Sequence, residues 1–419
     1  MSSKPESHVW HPYTQMQTAP QPLKVTHGKG TKLYLEDGRV LLDAISSWWV
    51  TVHGHAHPHV AEAIARQANT LEQVIFAGFT HPEAERLADR LVGHLPTGLD
   101  KVFFSDDGST AVEVALKMAW QYWNNKGVTR NRILAFEGAY HGDTFGAMSA
   151  SARSIFTKAF GPLMFDVQHL PSLSEDPEGS LETLKKALKG GDVAGLIVEP
   201  LVQGAGGMLM HSPEHLDMVT SLCQSEGVPV IFDEVMTGFY RTGRLFAMNH
   251  CQHKPDIVCL AKGLTGGFLP LSITVARSHI YDAFLSQDRG KMLFHGHSFT
   301  ANPIGCAAAN ASLDLFESPE LPAKIMAITQ WLGQLAISLR HTGKVKNIRQ
   351  TGTILAFDLP SSETGYLSTA AVQVRDRLFS KGILIRPLGE VVYLLPPYCV
   401  EREEMQTIYE ELLAAIQDL

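Results

Sequence analysis

Asp233 and Lys262 are the two residues of this chain whose types and positions most invite chemistry. Val228-Pro-Val-Ile-Phe232 runs into Asp233-Glu234, and Asp256-Ile-Val-Cys-Leu-Ala261 runs into Lys262-Gly263, with Gly266-Gly267 close behind. Each run is mostly apolar and of strand length, so both read as buried strands. The acid and the amine then stand at strand carboxyl ends, where open α/β sheets bind ligands. A lysine amine in such a place can hold an aldehyde covalently and later carry protons. A carboxylate can pair with a pyridine nitrogen and keep it protonated, so that the ring takes up a carbanion's electrons. This is the pair that pyridoxal phosphate chemistry requires. Taken singly, each residue has a plainer reading, because strand-end aspartates cap turns and strand-end lysines are commonly solvated.

The whole string Ile231-Phe-Asp-Glu-Val-Met-Thr-Gly-Phe-Tyr-Arg-Thr-Gly243, followed by Ala261-Lys-Gly-Leu-Thr-Gly-Gly267, resembles the signature of the class III, fold-type-I aminotransferases. The resemblance implies an α/β fold. Its large domain would hold a mainly parallel sheet of the seven-stranded type between helices, beside a smaller α+β domain. It also implies pyridoxal 5'-phosphate as cofactor, with Lys262 and Asp233 as the catalytic pair.

The bulk properties bound the rest. A chain of 419 residues has room for two to three domains and a sizeable core. A net charge of −8 argues against nucleic acid or an anionic membrane as partner. Cys223, Cys251, Cys259, Cys306 and Cys399 are odd in number, scattered and without a C-x-x-C pair, so they read as reduced thiols of a cytoplasmic protein. The polar start Met1-Ser-Ser-Lys-Pro-Glu6 has no apolar export core, and no apolar stretch reaches membrane-spanning length.

Around the reactive pair the chain alternates strand and helix. Lys32–Leu35 and Val40–Leu42 flank the turn Glu36-Asp-Gly-Arg39 as a hairpin. Gly28-Lys-Gly30 lacks the third glycine and the preceding strand of a nucleotide loop. A helix is expected from Pro58 to about Val74, and Thr80 with Glu83 has capping-box spacing for the next one. From Lys101 strands at Val102–Phe104, Ile133–Phe136 and Ala194–Val198 alternate with helices from Thr110, near 181–189 and at 213–226, a pattern for a mainly parallel sheet. After Ser318-Pro319 come long helices at about 321–341, 368–381 and 401–417, around short strands at Ile354–Phe357 and Val391–Leu394. A large cofactor domain over 46–318 and a small domain from 1–45 with 319–419 are therefore expected.

Further motifs fit the same site. Ser105-Asp-Asp-Gly108-Ser109-Thr110 joins a strand to a helix, and the amides of that helix start, the Ser109 hydroxyl and a close-approaching Gly108 suit a phosphate. A plain serine N-cap is the alternative there. Tyr140, after another strand, has a flat face to stack on the pyridine ring, while His141 and Asp143 read as orienting or turn residues. Glu199 ends a further strand and borders the site. His53, His55, His57 and His59 alternate, but no cysteine lies near and Glu62 falls outside familiar ligand spacing, so no metal is expected.

By resemblance, Phe294-His-Gly296-His297-Ser298 is the segment that contacts the cofactor phosphate from a partner subunit, with His297-Ser298 standing where relatives carry Pro-Thr. Other stretches narrow the resemblance to the branch of the family that acts on S-adenosyl-L-methionine and 8-amino-7-oxononanoate in biotin synthesis. They are His8-Val-Trp-His-Pro-Tyr-Thr14, Ser46-Ser-Trp-Trp49, Gln121-Tyr-Trp123, Tyr140 to Met148, Val202 to Met208, and Arg386-Pro-Leu-Gly with Tyr393 to Tyr398. The resemblance implies a homodimer with shared active sites. It gives Tyr13, Trp48 and Tyr140 as aromatic walls, Tyr13 also as catalytic, Gly296 and Lys262 as substrate contacts, and Arg386 as partner of the acceptor's tail carboxylate. Aromatic walls suit a pocket that must take both a sulfonium and an alkyl chain. Two other substrate readings stay open: lysine as donor to the same acceptor, and a class III enzyme for ω-amino acids. A regulator on this fold would need a basic helix-turn-helix segment ahead of the body, and none is seen.

Overall fold

The computed structural model describes residues 8–360 and 369–419, so the polar start and the first residue of the helix expected at 368–381 lie outside the described residues. Three strands open the fold: β1 (Val25–Lys29), β2 (Lys32–Leu35) and β3 (Val40–Asp43), an antiparallel meander with the expected hairpin as its second half. Strand β1 takes up Gly28, where a Cβ would come within 2.7 Å of His55 Cβ. That glycine serves packing in a strand rather than a nucleotide loop.

The next strands are β4 (Leu99–Ser105), β5 (Arg132–Phe136), β6 (Val167–Leu170) and β7 (Val193–Val198). A small ladder of β8 (Val202–Gln203) and β9 (Leu209–Met210) precedes β10 (Val230–Asp233), β11 (Ile257–Leu260) and β12 (Ser272–Arg277). Seven of them form one sheet in the order β4-β12-β11-β10-β7-β5-β6. All neighbours are parallel except β12, which runs antiparallel to both β11 and β4. From β5 the chain moves outward to β6 and returns to β7 on the other side, so the strand order reverses at the β5–β7 pair. Such reversals open a crevice at the strand carboxyl ends.

Every residue of β7, β10 and β11 is buried, as a sheet covered on both faces demands. The two-residue period of a strand sorts the side chains. Ile133, Ala135, Ile231, Ile257 and Cys259 pack with the helix Gly108–Asn125, while Leu134, Phe136, Phe232, Val258 and Leu260 face the larger core on the other side.

After the helices Pro303–Phe316 and Leu321–Thr342 come β13 (Lys346–Thr351), β14 (Ile354–Asp358), β15 (Ile383–Leu384) and β16 (Val391–Leu394), with helices Thr369–Ser380 and Arg402–Gln417. Strands β13, β14 and β16 form an antiparallel sheet, whereas β15 pairs in parallel with β3. Early and late segments of the chain thus share one sheet.

Several boundaries differ from expectation. The helix from Pro58 ends at Ala68, because Asn69 Nδ2 and Thr70 Oγ1 donate back to the carbonyls of Ala65 and Arg66. The helix Pro82–His94 is capped by His81, whose Nδ1 accepts from Ala84 N–H at 3.2 Å, while Thr80 turns to Glu85. Strands β1, β6, β12 and β13 and the helix Pro303–Phe316 were not anticipated. Three of the four alternate histidines make structural contacts: His53 meets Ser312 at 2.9 Å, His55 meets Asp43 at 3.0 Å and His59 meets Asp314 at 2.8 Å. Among the described residues no helix is long and apolar enough to cross a membrane, and the five cysteines are unpaired.

Candidate active site

Strand β10 delivers Asp233 to the wall of a cavity of about 600 Å³. The residue is 4% exposed. A buried carboxylate must be hydrogen-bonded. Its Oδ1 accepts from Val235 N–H at 3.1 Å, and its Oδ2 lies 2.7 Å from His141 Nδ1. His141 is buried in the loop after β5, where Ser151 Oγ accepts from its backbone N–H at 2.8 Å. Facing a carboxylate, Nδ1 carries the proton and donates it, and Nε2 is buried with no partner. The imidazole therefore fixes the carboxylate plane.

Lys262 follows β11 directly and opens a short 3₁₀ turn, Lys262–Thr265, with its backbone at φ 46°. A side chain in that left-handed region costs about 1 kcal/mol or more and marks sites where the surroundings dictate conformation. The residue lines the same cavity as Asp233, and Nζ lies 4.8 Å from the centre of the Trp49 ring. Burial pushes its ammonium pKa down, against the Asp233 and Glu199 carboxylates, which pull it up; Arg241 adds to the lowering. A lowered pKa makes the neutral, nucleophilic amine accessible.

On the third side, β4 runs into Asp106-Asp107-Gly108-Ser109 and the helix Gly108–Asn125. Asp107, not a serine, is the N-cap and accepts from Thr110 N–H at 3.0 Å. Ser109 Oγ is left at the cavity, where it accepts from Asp143 N–H at 3.2 Å. Gly142 sits at φ +134°, and a Cβ there would collide with Ser109 Oγ; a Cβ on Gly108 would come within 2.7 Å of Val235 Cγ1. Three loops are thus drawn together around the amide end of a helix, a setting for an anion. Glu199, 5% exposed at the end of β7, completes the cavity wall.

A second cavity of about 850 Å³ lies between the early segment and the late one. It is lined by Tyr13, Trp48 and Arg386 among others. Tyr13 and Trp48 rings are 5.7 Å apart, and the Arg386 guanidinium carbon lies 4.8 Å from the Trp48 ring centre. The Tyr13 hydroxyl donates to Asp143 Oδ2 and lies 3.4 Å from the Tyr140 hydroxyl. Tyr140 lines the inner cavity, so this contact links the walls of the two spaces.

The structure therefore brings Lys262, Asp233, Gly108, Ser109 and Tyr140 to one cavity and Tyr13, Trp48 and Arg386 to the adjoining one. Gly296, His297 and Ser298 line neither. His297 instead lies 4.0 Å from Asp106 Oδ1, and the Ser298 carbonyl accepts from Gln73 Nε2 at 2.5 Å.

Several contributors escaped sequence reasoning. Trp49, not Trp48, lies against Lys262, with its indole N–H donating to the Tyr393 hydroxyl at 3.0 Å. The turn that carries both has Ser47 at φ 57° and Trp49 at φ 66°, which sends adjacent indoles to different cavities. Phe156 packs edge-on against Tyr13 at 5.9 Å, and no motif announced it. Arg241, within the signature string, is fully buried and donates to the carbonyls of Pro396 at 2.9 Å and Trp49 at 3.4 Å.

A cofactor carrying an aldehyde, a protonatable ring nitrogen and a phosphate fits these residues: an amine, a buried oriented carboxylate and a glycine-lined helix start converge on one space. A model of the family "aminotransferase class-III" matches residues 13–416. The adenosylmethionine-8-amino-7-oxononanoate aminotransferase of Synechococcus elongatus is 53% identical, covering 98% of this chain and 98% of that one. Its counterpart in Geobacter sulfurreducens is 39% identical, over 98% and 95%. The crystal structure of the adenosylmethionine-8-amino-7-oxononanoate aminotransferase from Methanocaldococcus jannaschii superposes with a TM-score of 0.92 at 34% identity, over 98% of this chain and 97% of that one. An amine transaminase from an uncultivated Pseudomonas species, solved with pyridoxal phosphate bound, also gives 0.92, at 32% identity over 99% of each chain. The chain belongs to the class III aminotransferase family.

Proposed function

We propose that this chain is a pyridoxal-phosphate-dependent aminotransferase that moves the α-amino group of S-adenosyl-L-methionine to 8-amino-7-oxononanoate, giving 7,8-diaminononanoate for biotin synthesis. The observation that carries the chemistry is the convergence of Lys262 and the His141-oriented Asp233 on one buried cavity. The names of the relatives at 53% and 39% identity support the substrate pair, as does the aromatic cavity that ends on Arg386.

When bound, the cofactor supplies an aldehyde that captures an amine and a ring that accepts the electron pair of a broken Cα–H bond. Lys262 Nζ holds the cofactor at rest and, once released, takes the proton from the substrate Cα and returns it on the other side of the transfer. Asp233 keeps the ring nitrogen protonated, and the His141 Nδ1–H bond keeps Asp233 in plane for that task. Gly108, Ser109 and the first amides of their helix receive the phosphate, and Tyr140 covers the ring. Tyr13 and Trp48 flank the substrate, and the Arg386 fork donates to the acceptor's carboxylate.

The proposal extends to a cytoplasmic homodimer in which Gly296, His297 and Ser298 reach the partner's cofactor phosphate and substrate; their position outside both cavities of their own chain supports this. It also divides the chain into a large domain, 46–318, and a small one from 1–45 with 319–419, supported by the β15–β3 pairing. A second reading, an amine or ω-amino-acid transaminase, draws on the equal TM-score of the Pseudomonas amine transaminase. Chromatographic detection of 7,8-diaminononanoate decides between them when the acceptor is offered with adenosylmethionine, lysine or an ω-amino acid singly. Product with adenosylmethionine is expected; product only with lysine replaces the donor, and none with any donor removes the acceptor assignment.

A further inference from the structure

Glu199 is the one buried carboxylate of the cavity to which the mechanism above gives no task. Both of its oxygens are engaged. Oε1 accepts from the backbone N–H of Tyr140 at 2.9 Å, and Oε2 accepts from that of Gly204 at 2.8 Å. These two amides belong to different loops, the one after β5 and the one after β8, which Gln203 Nε2 also joins by donating to the Glu137 carbonyl at 3.0 Å. Tyr140 carries the ring whose hydroxyl meets Tyr13, while Gly204 lies against Trp49, with any Cβ there coming within 3.2 Å of Trp49 Cζ3. We propose that Glu199 is a positioning residue whose ionised carboxylate holds these two loops in register at the cavity, so that protonating it loosens the grip on both substrates. The proposal rests on the transamination reading for its substrates, but not for its geometry.

The chemistry of the bracket is a matter of counting acceptors. A carboxylate offers a charged oxygen to each N–H, whereas a carboxylic acid turns one oxygen into a hydroxyl, a donor and a much poorer acceptor, so that one of the two bonds is weakened. The groups that face Glu199 are His141 from the same loop as Tyr140, Asp233 from β10 and Lys262 from the turn after β11. Burial, helped by the charge of Asp233, raises the Glu199 pKa to about 7 against the lowering pull of His141 and the two amides. The bracket thus opens and closes within an ordinary working range of pH. Glu199→Gln is a permanent copy of the protonated form, because its amide offers only one acceptor.

The experiment uses the cofactor-loaded enzyme with ¹⁵N-labelled tyrosine and glycine. The Tyr140 and Gly204 amide signals should shift together with one midpoint between about pH 6 and 8, and in Glu199→Gln both should be flat. In turnover, KM for donor and acceptor should rise as pH falls through that midpoint. Glu199→Gln should show the high KM at every pH, about tenfold above the ionised wild type, with kcat changed less, the pattern of lost uniform binding. Amide signals in the wild type that stay still, or move with different midpoints, overturn the proposal even if the variant does not fold. A Glu199→Gln enzyme with wild-type KM and an unchanged pH profile overturns it as well. Failure of the substrate pair to react would leave the amide titration untouched, which separates this inference from the functional reading.

Discussion

Replacing His141 by Ala tests whether orientation of Asp233 matters to catalysis. His141 supplies one of the two hydrogen bonds seen on that carboxylate, at 2.7 Å from a buried position. Hydrogen bonds to charged groups are worth about 1.5–3 kcal/mol, more so where water cannot replace them. At roughly 1.4 kcal/mol per decade the variant should lose about 10- to 100-fold in kcat/KM. The interaction matters when the ring takes up charge, so kcat and kcat/KM should fall alike. His141→Asn can present an amide N–H near the Nδ1 place and should recover part of the loss. The assay is initial-rate product formation, with urea unfolding alongside to verify that the variant is folded. A folded His141→Ala enzyme with undiminished kcat/KM would refute the reasoning, since the aspartate would then need no guide.

Three further outcomes follow from the geometry. Lys262→Ala should abolish turnover and the covalent hold on the cofactor, read by whether the cofactor resists removal after borohydride treatment. Arg386→Ala should raise KM for the acceptor by about 10- to 100-fold, the worth of a charge-assisted hydrogen bond, while stability moves little; an unchanged acceptor KM would assign the carboxylate to another group. His53 is buried and its pKa is held down to about 3, so between 6.5 and that value an unfolded chain binds a proton that the folded chain refuses. Stability is therefore lost as pH falls through this window, by roughly 1.4 kcal/mol per pH unit. His53→Gln, which keeps a partner for Ser312, should flatten this acid limb in thermal unfolding measured at stepped pH.

The parts of this architecture that depend on near neighbours in sequence were readable in advance. Apolar runs ending in Asp233 and Lys262 mark β10 and β11 because both are covered on two faces and tolerate no polar interruption. Strand β12 was missed because Ser272-Ile-Thr-Val-Ala-Arg277 mixes hydroxyl and apolar residues after a proline, and its antiparallel insertion between β11 and β4 is a property of the sheet. The edge strand β6 runs Val-Gln-His-Leu, with only its two ends apolar and buried. In the site, the residues at strand ends were found from pattern, whereas Tyr13, Trp48 and Arg386 came by resemblance alone. They are brought together from three distant segments by the β15–β3 pairing and a turn with three positive-φ residues, Ser46, Ser47 and Trp49, and neither leaves a local periodicity. The Glu199 bracket was invisible for the same reason, since both of its partners are backbone amides.

The central claim is most directly tested by the absorption spectrum of the purified, cofactor-loaded protein as single amine donors are added. The account predicts that S-adenosyl-L-methionine bleaches the yellow band of the bound cofactor and that 8-amino-7-oxononanoate restores it. A protein whose band ignores both compounds yet bleaches with an ω-amino acid would keep its place in the family and contradict the proposed reaction.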